Sequence, residues 1–175
     1  MDFAFSKFLI RAFHKVLDRI PDCRLVIAGN GSYDEYFKEA QEICTKVTFT
    51  GLLDKDVLSE LYQIADVGVI PSLYETFCLV AVEMMMHRLP LIATETSGLN
   101  EVVDDTCGLK IPVVITPERV GIDTNVLAEK IIYLLEHPQE AERLGVNARK
   151  RYLERYTSEI FQRNMLEFYQ SLFDS

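Results

Sequence analysis

The chain has no run of about 18 consecutive apolar residues, so no segment of it reads as a membrane-spanning helix. Its N-terminus lacks the basic, apolar, small-residue order of a secretion signal. The expectation is therefore a soluble, cytoplasmic chain. A positive surplus is missing as well. Against 18 Lys and Arg stand 27 Asp and Glu, a formal charge of -9. This argues against broad nucleic-acid binding, which needs basic surface to neutralise phosphates. A small anionic ligand stays open, because backbone donors act locally. Among Cys23, Cys44, Cys78 and Cys107 no pair has the C-x-x-C spacing, which removes zinc ribbons and redox dithiols. Scattered thiols without a secretion signal fit a reducing compartment and read as small core residues. The histidines His14, His87 and His137 are dispersed, with no H-E-x-x-H spacing. No metal and no cofactor is expected to be held by this chain alone.

What is present is apolar material in short pieces. With 175 residues, 49% of them hydrophobic, the chain can bury the core of one domain spanning residues 1–175. Phe8-Leu9, Ala12-Phe13, Val16-Leu17 and Ile20 recur at helical spacing, and Pro21 ends that helix. Buried strands are expected at Arg24–Ala28, Lys46–Thr50, Asp66–Ile70, Leu91–Thr94 and Gly108–Pro112. Between them helices are expected from a Ser32 cap to Cys44, from an Asp54 cap to Ala65, and over Phe77–His87. Asn125–Glu136, Glu140–Glu154 and Ser158–Leu172 read as three further helices, and Val113–Thr124 as a flexible surface loop. Strands apolar on both sides and separated by helices indicate a mostly parallel sheet covered on both faces. The fold class is α/β, a Rossmann-like doubly wound sheet with extra C-terminal helices. Ligands of such folds sit where strands run into the following loops. The loops to examine are thus Gly29–Ser32, Gly51–Lys55, Pro71–Phe77 and Thr94–Asn100.

One of these loops leads into an unusual helix. Around Glu83 stand Leu79, Val80, Val82, Met84, Met85 and Met86, apolar nearly all round. Such a helix is normally buried, and an ionised carboxylate inside it costs several kcal/mol in effective terms unless it is paired. One reason to place it there is to accept hydrogen bonds from ligand hydroxyls. The helix start, with free N–H groups from Phe77 to Val80, favours phosphate. Glu75 lies just before that start. At about 1.5 Å per residue, Glu75 and Glu83 lie on the order of 12 Å apart along the axis. A diphosphate at the helix start would have one carboxylate on each side, suited to sugar hydroxyls and ribose hydroxyls. The competing reading is structural: Glu75 caps or pairs locally, and Glu83 makes a buried salt bridge with Arg88 or Lys110.

The stretch P-S-L-Y-E-T-F-C-L-V-A-V-E-M-M-M-H-R-L-P-L-I-A-T-E-T-S-G-L-N-E-V-V resembles the donor-site signature of the retaining GT-B glycosyltransferases of family 4, or group 1. The resemblance extends upstream through P-D-C-R-L-V-I-A-G-N-G-S, V-T-F-T-G-L-L-D and L-Y-Q-I-A-D-V-G-V-I-P-S, and downstream through D-D-T-C-G-L-K-I-P. It covers roughly Ala12 to Pro112. The fold it implies is one half of a GT-B enzyme, and the reaction is sugar transfer from a nucleoside-diphosphate sugar with retention. Carried over by position, Glu75 contacts the donor sugar and Glu83 the ribose hydroxyls. The backbone of Phe77, Cys78 and Leu79 holds the diphosphate, Leu53 lies beside the base, and Gly29 and Gly31 line the crevice. The G-x-G pair reads equally as a simple tight turn.

Departures from the family pattern raise further expectations. Thr76 and Cys78 stand where the family usually has glycine, and their side chains are expected to narrow the space for phosphate and sugar. Met84, Met86, His87 and Arg88 replace small residues. The methionines read as core fillers and His87 as a surface residue at the helix end. The family's first strand, with its Arg and Lys, has no counterpart, since Met1-Asp2 leads almost at once into the first helix. The acceptor-binding N-terminal domain has none either. The expectation is a domain trimmed on its N-terminal side, with little activity alone and an unknown glycan or lipid-linked acceptor. Arg143, Arg149, Lys150, Arg151 and Arg155 suggest peripheral membrane contact of the full-length protein, although Glu142 and Glu154 interrupt the charge. Two other functions fit less well: a nucleotide-sugar 2-epimerase, and a non-catalytic module binding nucleotide or protein.

Overall fold

The computed structural model describes residues 6–31, 33–117 and 120–173. The proposed Ser32 cap lies outside them. Helix α1, Ser6–Arg19, forms where the sequence places its apolar residues on one stripe, and Ile10, Ala12, Phe13 and Val16 of that stripe are buried. Strand β1, Leu25–Ala28, pairs in parallel with β2, Val47–Gly51. The segment between them is helix α2, Tyr33–Glu39, and then a 3-10 helix, Gln41–Lys46, rather than one continuous helix. Ile43 has non-helical dihedrals there, and its β-branched side chain packs onto the core.

Helix α3, Lys55–Ile64, starts at Asp54, but the Asp54 side chain makes no capping hydrogen bond. Strands β3 (Gly68–Ile70), β4 (Leu91–Thr94) and β5 (Gly108–Ile111) form a second parallel sheet in that order. Helix α4, Leu79–Met86, joins β3 to β4, and a short helix α5, Ser97–Val102, joins β4 to β5. The span Thr94–Asn100 is thus partly helical rather than all loop. The expected loop after β5 is mostly a β-hairpin, β6 (Val113–Ile115) against β7 (Val120–Ile122). Its two runs are rich in β-branched residues, and Gly121 sits against the Phe8 ring of α1.

Helix α6, Thr124–Glu136, is capped by the Asp123 carboxylate, which accepts from the Asn125 N–H at 2.8 Å. Pro138 opens helix α7, Pro138–Arg155, at a position that needs no N–H. Helix α8, Ser158–Phe173, follows.

Two cores hold these layers. One gathers α1, α2 and α6 against Ile27, Ile92 and Ile111 of the sheets. The other packs α4, α5 and α7 against β3 and β4. The first core therefore spans both sheets, although no β-pairing joins them. Strand β1 pairs only with β2, and β3 only with β4, among the described residues. Val26 of β1 is 40% exposed.

Candidate functional site

The β3 strand ends at Ile70 and delivers Ser72, only 1% exposed, into the loop below Glu75. The Ser72 hydroxyl donates to Glu75 Oε1 at 3.0 Å. Thr94, at the end of β4, donates to the Ser72 carbonyl and so fixes the loop to the neighbouring strand. The main chain of Glu75 is held from a third side. Its carbonyl accepts from the Gly98 N–H at 3.1 Å and from the Ser97 hydroxyl at 3.3 Å, both in the first turn of α5. A Cβ on Gly98 would lie 2.6 Å from that carbonyl oxygen, so the contact requires glycine.

Helix α4 begins at Leu79, two residues later than the sequence pattern suggests, with Cys78 at its N-cap. The free first-turn N–H groups thus start at Leu79 rather than Phe77. Glu83 is the fifth helical residue, about 6 Å along the axis from Leu79. Phe77 is 41% exposed and Leu79 67% exposed, so this apolar helix is covered only in part. The Cys78 side chain is 2% exposed and belongs to the core beneath the loop. Its φ of -93° suits any residue. Its side chain is thus packed into the core beneath the loop, within reach of the Glu75 carboxylate. Burial pushes the thiol up to about 11, against the pull of the nearby Ala81 N–H and with a contribution from the Glu75 charge. Thr76 does stand exposed.

Glu83 is half-buried and faces α3, where the Tyr62 hydroxyl donates to its Oε2 at 3.2 Å. Burial, and then the Glu83 charge, drive the Tyr62 phenol far above its ordinary value, so it stays a protonated donor. The salt bridge considered for Glu83 is not formed. Arg88 pairs with Glu142 of α7, and Lys110 donates to Asn100 Oδ1 at 2.8 Å and to the Leu99 carbonyl. His87 is not merely a surface residue. It is half-buried, with its ring 5.7 Å from that of Tyr62 and Nε2 3.2 Å from Ser59 Oγ. Met85 is fully buried and Met84 packs against Gly68, as core fillers do.

Glu75, Phe77, Cys78, Leu79 and Glu83 therefore sit on one loop-helix unit. Gly29 and Leu53 occupy the ends of the other sheet. Gly29, at φ 135°, donates its N–H to the Gly51 carbonyl at 2.8 Å, which ties the β1 loop to the β2 loop carrying Leu53. Gly31 is exposed. Sequence reasoning missed Ser72, Tyr62, Ser97 and Gly98. Tyr62 was hidden by its place on the apolar stripe of α3, while Gly98 was legible as a glycine in the loop after β4.

A cleft of about 1200 Å³ lies elsewhere, between α1 and α2. Its polar groups are largely satisfied internally: Arg11 binds Glu39, and Lys15 binds Thr124 and Asn125. Two basic residues of α7 are similarly engaged, Arg143 with Glu140 and Arg151 with Asp104. No helix among the described residues is long and apolar enough to cross a membrane.

Parallel strands whose carboxyl ends carry these polar loops define a domain of the doubly wound α/β class. The chain belongs to the glycosyl transferases group 1, whose family model matches residues 6–151, and it forms the C-terminal domain of a GT-B glycosyltransferase. It is 30% identical over 146 residues to the alpha-D-kanosaminyltransferase of Streptomyces kanamyceticus, covering 81% of this chain and 36% of that protein. It resembles the sucrose-phosphate synthase of Thermosynechococcus elongatus at 32% identity and a TM-score of 0.77, covering 94% of this chain and 42% of that one. The fold is also that of Anabaena HepE, solved in complex with UDP, at a TM-score of 0.79 and 21% identity, covering 94% of this chain and 44% of that one. The chain thus spans well under half the length of these relatives.

Proposed function

We propose that this domain binds the nucleoside-diphosphate sugar of a retaining glycosyltransferase. Glu83 accepts from the ribose hydroxyls, Glu75 from the sugar hydroxyls, and the backbone of Phe77, Cys78 and Leu79 receives the diphosphate. Leu53 borders the base, with Gly29 and Gly31 along the crevice. The observation that carries this reading is the way the two carboxylates are held. Each accepts from one neutral hydroxyl, Ser72 or Tyr62, and neither has a cationic partner among the described residues. A half-buried carboxylate oriented by one hydroxyl keeps further acceptor capacity for ligand hydroxyls. The UDP bound to HepE supports a nucleotide diphosphate as the ligand of this fold. Charge developing on the leaving diphosphate is met by the first N–H groups of α4, and the reading calls for no metal.

Transfer itself belongs to a longer protein, which contributes an acceptor domain and the basic strand the family carries. Among the described residues β1 and β3 each keep one edge unpaired, which supports a further strand between the two sheets. The test is titration of the full-length protein with UDP, GDP and ADP and with their glucose or mannose esters. Binding of one diphosphate with a preference for its sugar ester is expected. No affinity for any of them overturns the proposal, and clear turnover by this chain alone overturns the division of labour.

A further inference from the structure

Helices α4 and α5 both begin at the candidate site, and both end against α7. Arg149 donates to the Met86 carbonyl, the last residue of α4. Arg151 reaches the other helix. Its Nε donates to the Val102 carbonyl at 2.7 Å, its Nη2 to the Glu101 carbonyl at 2.8 Å, and its Nη1 to the Asp104 carboxylate. Two of those acceptors are the last two carbonyls of α5, which have no partners inside a six-residue helix. A cation there also faces the negative end of the helix. The Arg151 side chain is only 15% exposed. Tyr156, the residue that ends α7, adds its hydroxyl to the Glu101 carbonyl at 3.3 Å and sets its ring edge-on against Phe77, with centroids 6.0 Å apart.

The opposite end of α5 holds Glu75 through Gly98 and Ser97, with no space for a Cβ at Gly98. A helix of six residues has little internal cooperativity to keep its own position. Its place is set by what grips its two ends. We infer that Arg151 is a positioning residue for the sugar-contacting carboxylate: it fixes α5, and α5 fixes Glu75. The planar fork serves three acceptors at once, which a lysine ammonium on a flexible stem cannot reproduce in the same geometry. This inference rests on the proposed roles of Glu75 and Glu83. It separates them, because Glu83 is held by Tyr62 of α3 and not through α5.

The experiment compares, in the full-length protein, the Kd for a nucleoside diphosphate with the Kd for its glucose ester. The probe is whichever of the UDP, GDP or ADP pairs the wild type binds most tightly. Arg151→Lys is expected to weaken the sugar ester roughly tenfold, the value of one hydrogen bond to a charged group, while the diphosphate Kd stays within about twofold. Ser97→Ala removes a hydrogen bond to the Glu75 carbonyl from the same joint without adding bulk and should reduce the sugar preference in the same way, which keeps the test sound if Arg151→Lys does not fold. Equal weakening of both ligands, or an unchanged preference in the folded variants, overturns the positioning role and leaves the donor-site reading standing. A wild type that binds no nucleotide, or shows no sugar preference, overturns the donor-site reading and this inference with it.

Discussion

Replacing Glu83 by Gln removes one negative charge and keeps the shape of the side chain. Tyr62 can still donate to the amide oxygen at the position where it now meets Oε2, 3.2 Å away. The α3–α4 contact should therefore survive, and the midpoint of unfolding should stay the same or rise, since a half-buried charge has been relieved. Binding should suffer. A hydrogen bond to an ionised group contributes about 1.5–3 kcal/mol, so the Kd for the nucleoside diphosphate should rise about 10- to 150-fold. A general loss of charge complementarity would give a similar number, so the decisive measurement is a cycle. The second arm removes the ligand hydroxyls by using the 2′-deoxy and 3′-deoxy nucleoside diphosphates. In the wild type at least one deoxy ligand should bind correspondingly less well. In Glu83→Gln that difference should largely vanish, giving a coupling energy of about 1 kcal/mol or more. Isothermal titration of the six combinations, two proteins against three ligands, supplies one cycle for each hydroxyl. Additive losses, with the deoxy penalty unchanged in the variant, would refute the assignment of Glu83 to ribose.

Three other outcomes follow from the geometry. Gly145→Ala places a Cβ 2.1 Å from the Arg88 carbonyl oxygen, so α7 must move off the end of α4; thermal unfolding should show a loss of about 1–3 kcal/mol, a drop in midpoint of roughly 3–10 °C. Asp123→Ala deletes the α6 cap and should cost about 1 kcal/mol in denaturant unfolding, with no effect on nucleotide affinity. Because burial raises the Cys78 thiol from its ordinary 9.0 to about 11, its neutral form contributes stability that is complete below pH 9 and is lost as the pH climbs towards 11; Cys78→Ala should flatten part of that alkaline decline, and an identical pH profile would rule the thiol out as its source.

The strands were legible because each is a short β-rich run closed by a turn residue. L-I-A-T is Leu91–Thr94 in the fold as in the sequence, and V-T-F-T lies inside β2. Periodicity was less informative where two kinds of structure share one composition. The span after Pro112 looks like loop because its apolar runs are only three residues long, yet those runs pair with each other. A three-residue strand leaves little signal until its partner is known. Helix ends drifted for the same reason. The pattern F-C-L-V is apolar throughout, and nothing in it marks Cys78 as the cap; only the fold turns that thiol into the core.

The site shows a sharper division. Glu83 stood out because a carboxylate flanked by apolar residues is costly without a function or a partner, and Glu75 because it lies just before the start of the same helix. What holds them stood out less: Ser72 is an ordinary serine of the same loop, and the other supports come from distant elements. Tyr62 precedes Glu83 by 21 positions, Gly98 follows Glu75 by 23, and Arg151 acts on α5 from about 50 residues away. In the sequence these are an apolar-stripe tyrosine, a loop glycine and one arginine in a basic helix, all of which have bland readings. Arg151 in particular belonged to a cluster that suggested a membrane surface. In the fold each of its three nitrogens is already committed to α5 or Asp104, which gives it a role inside the domain. A charge that looks free in sequence is therefore informative about partners only after its intramolecular acceptors have been identified. In this chain the carbonyls of Glu101 and Val102 are among those acceptors, and through them α7 bears on the placement of Glu75.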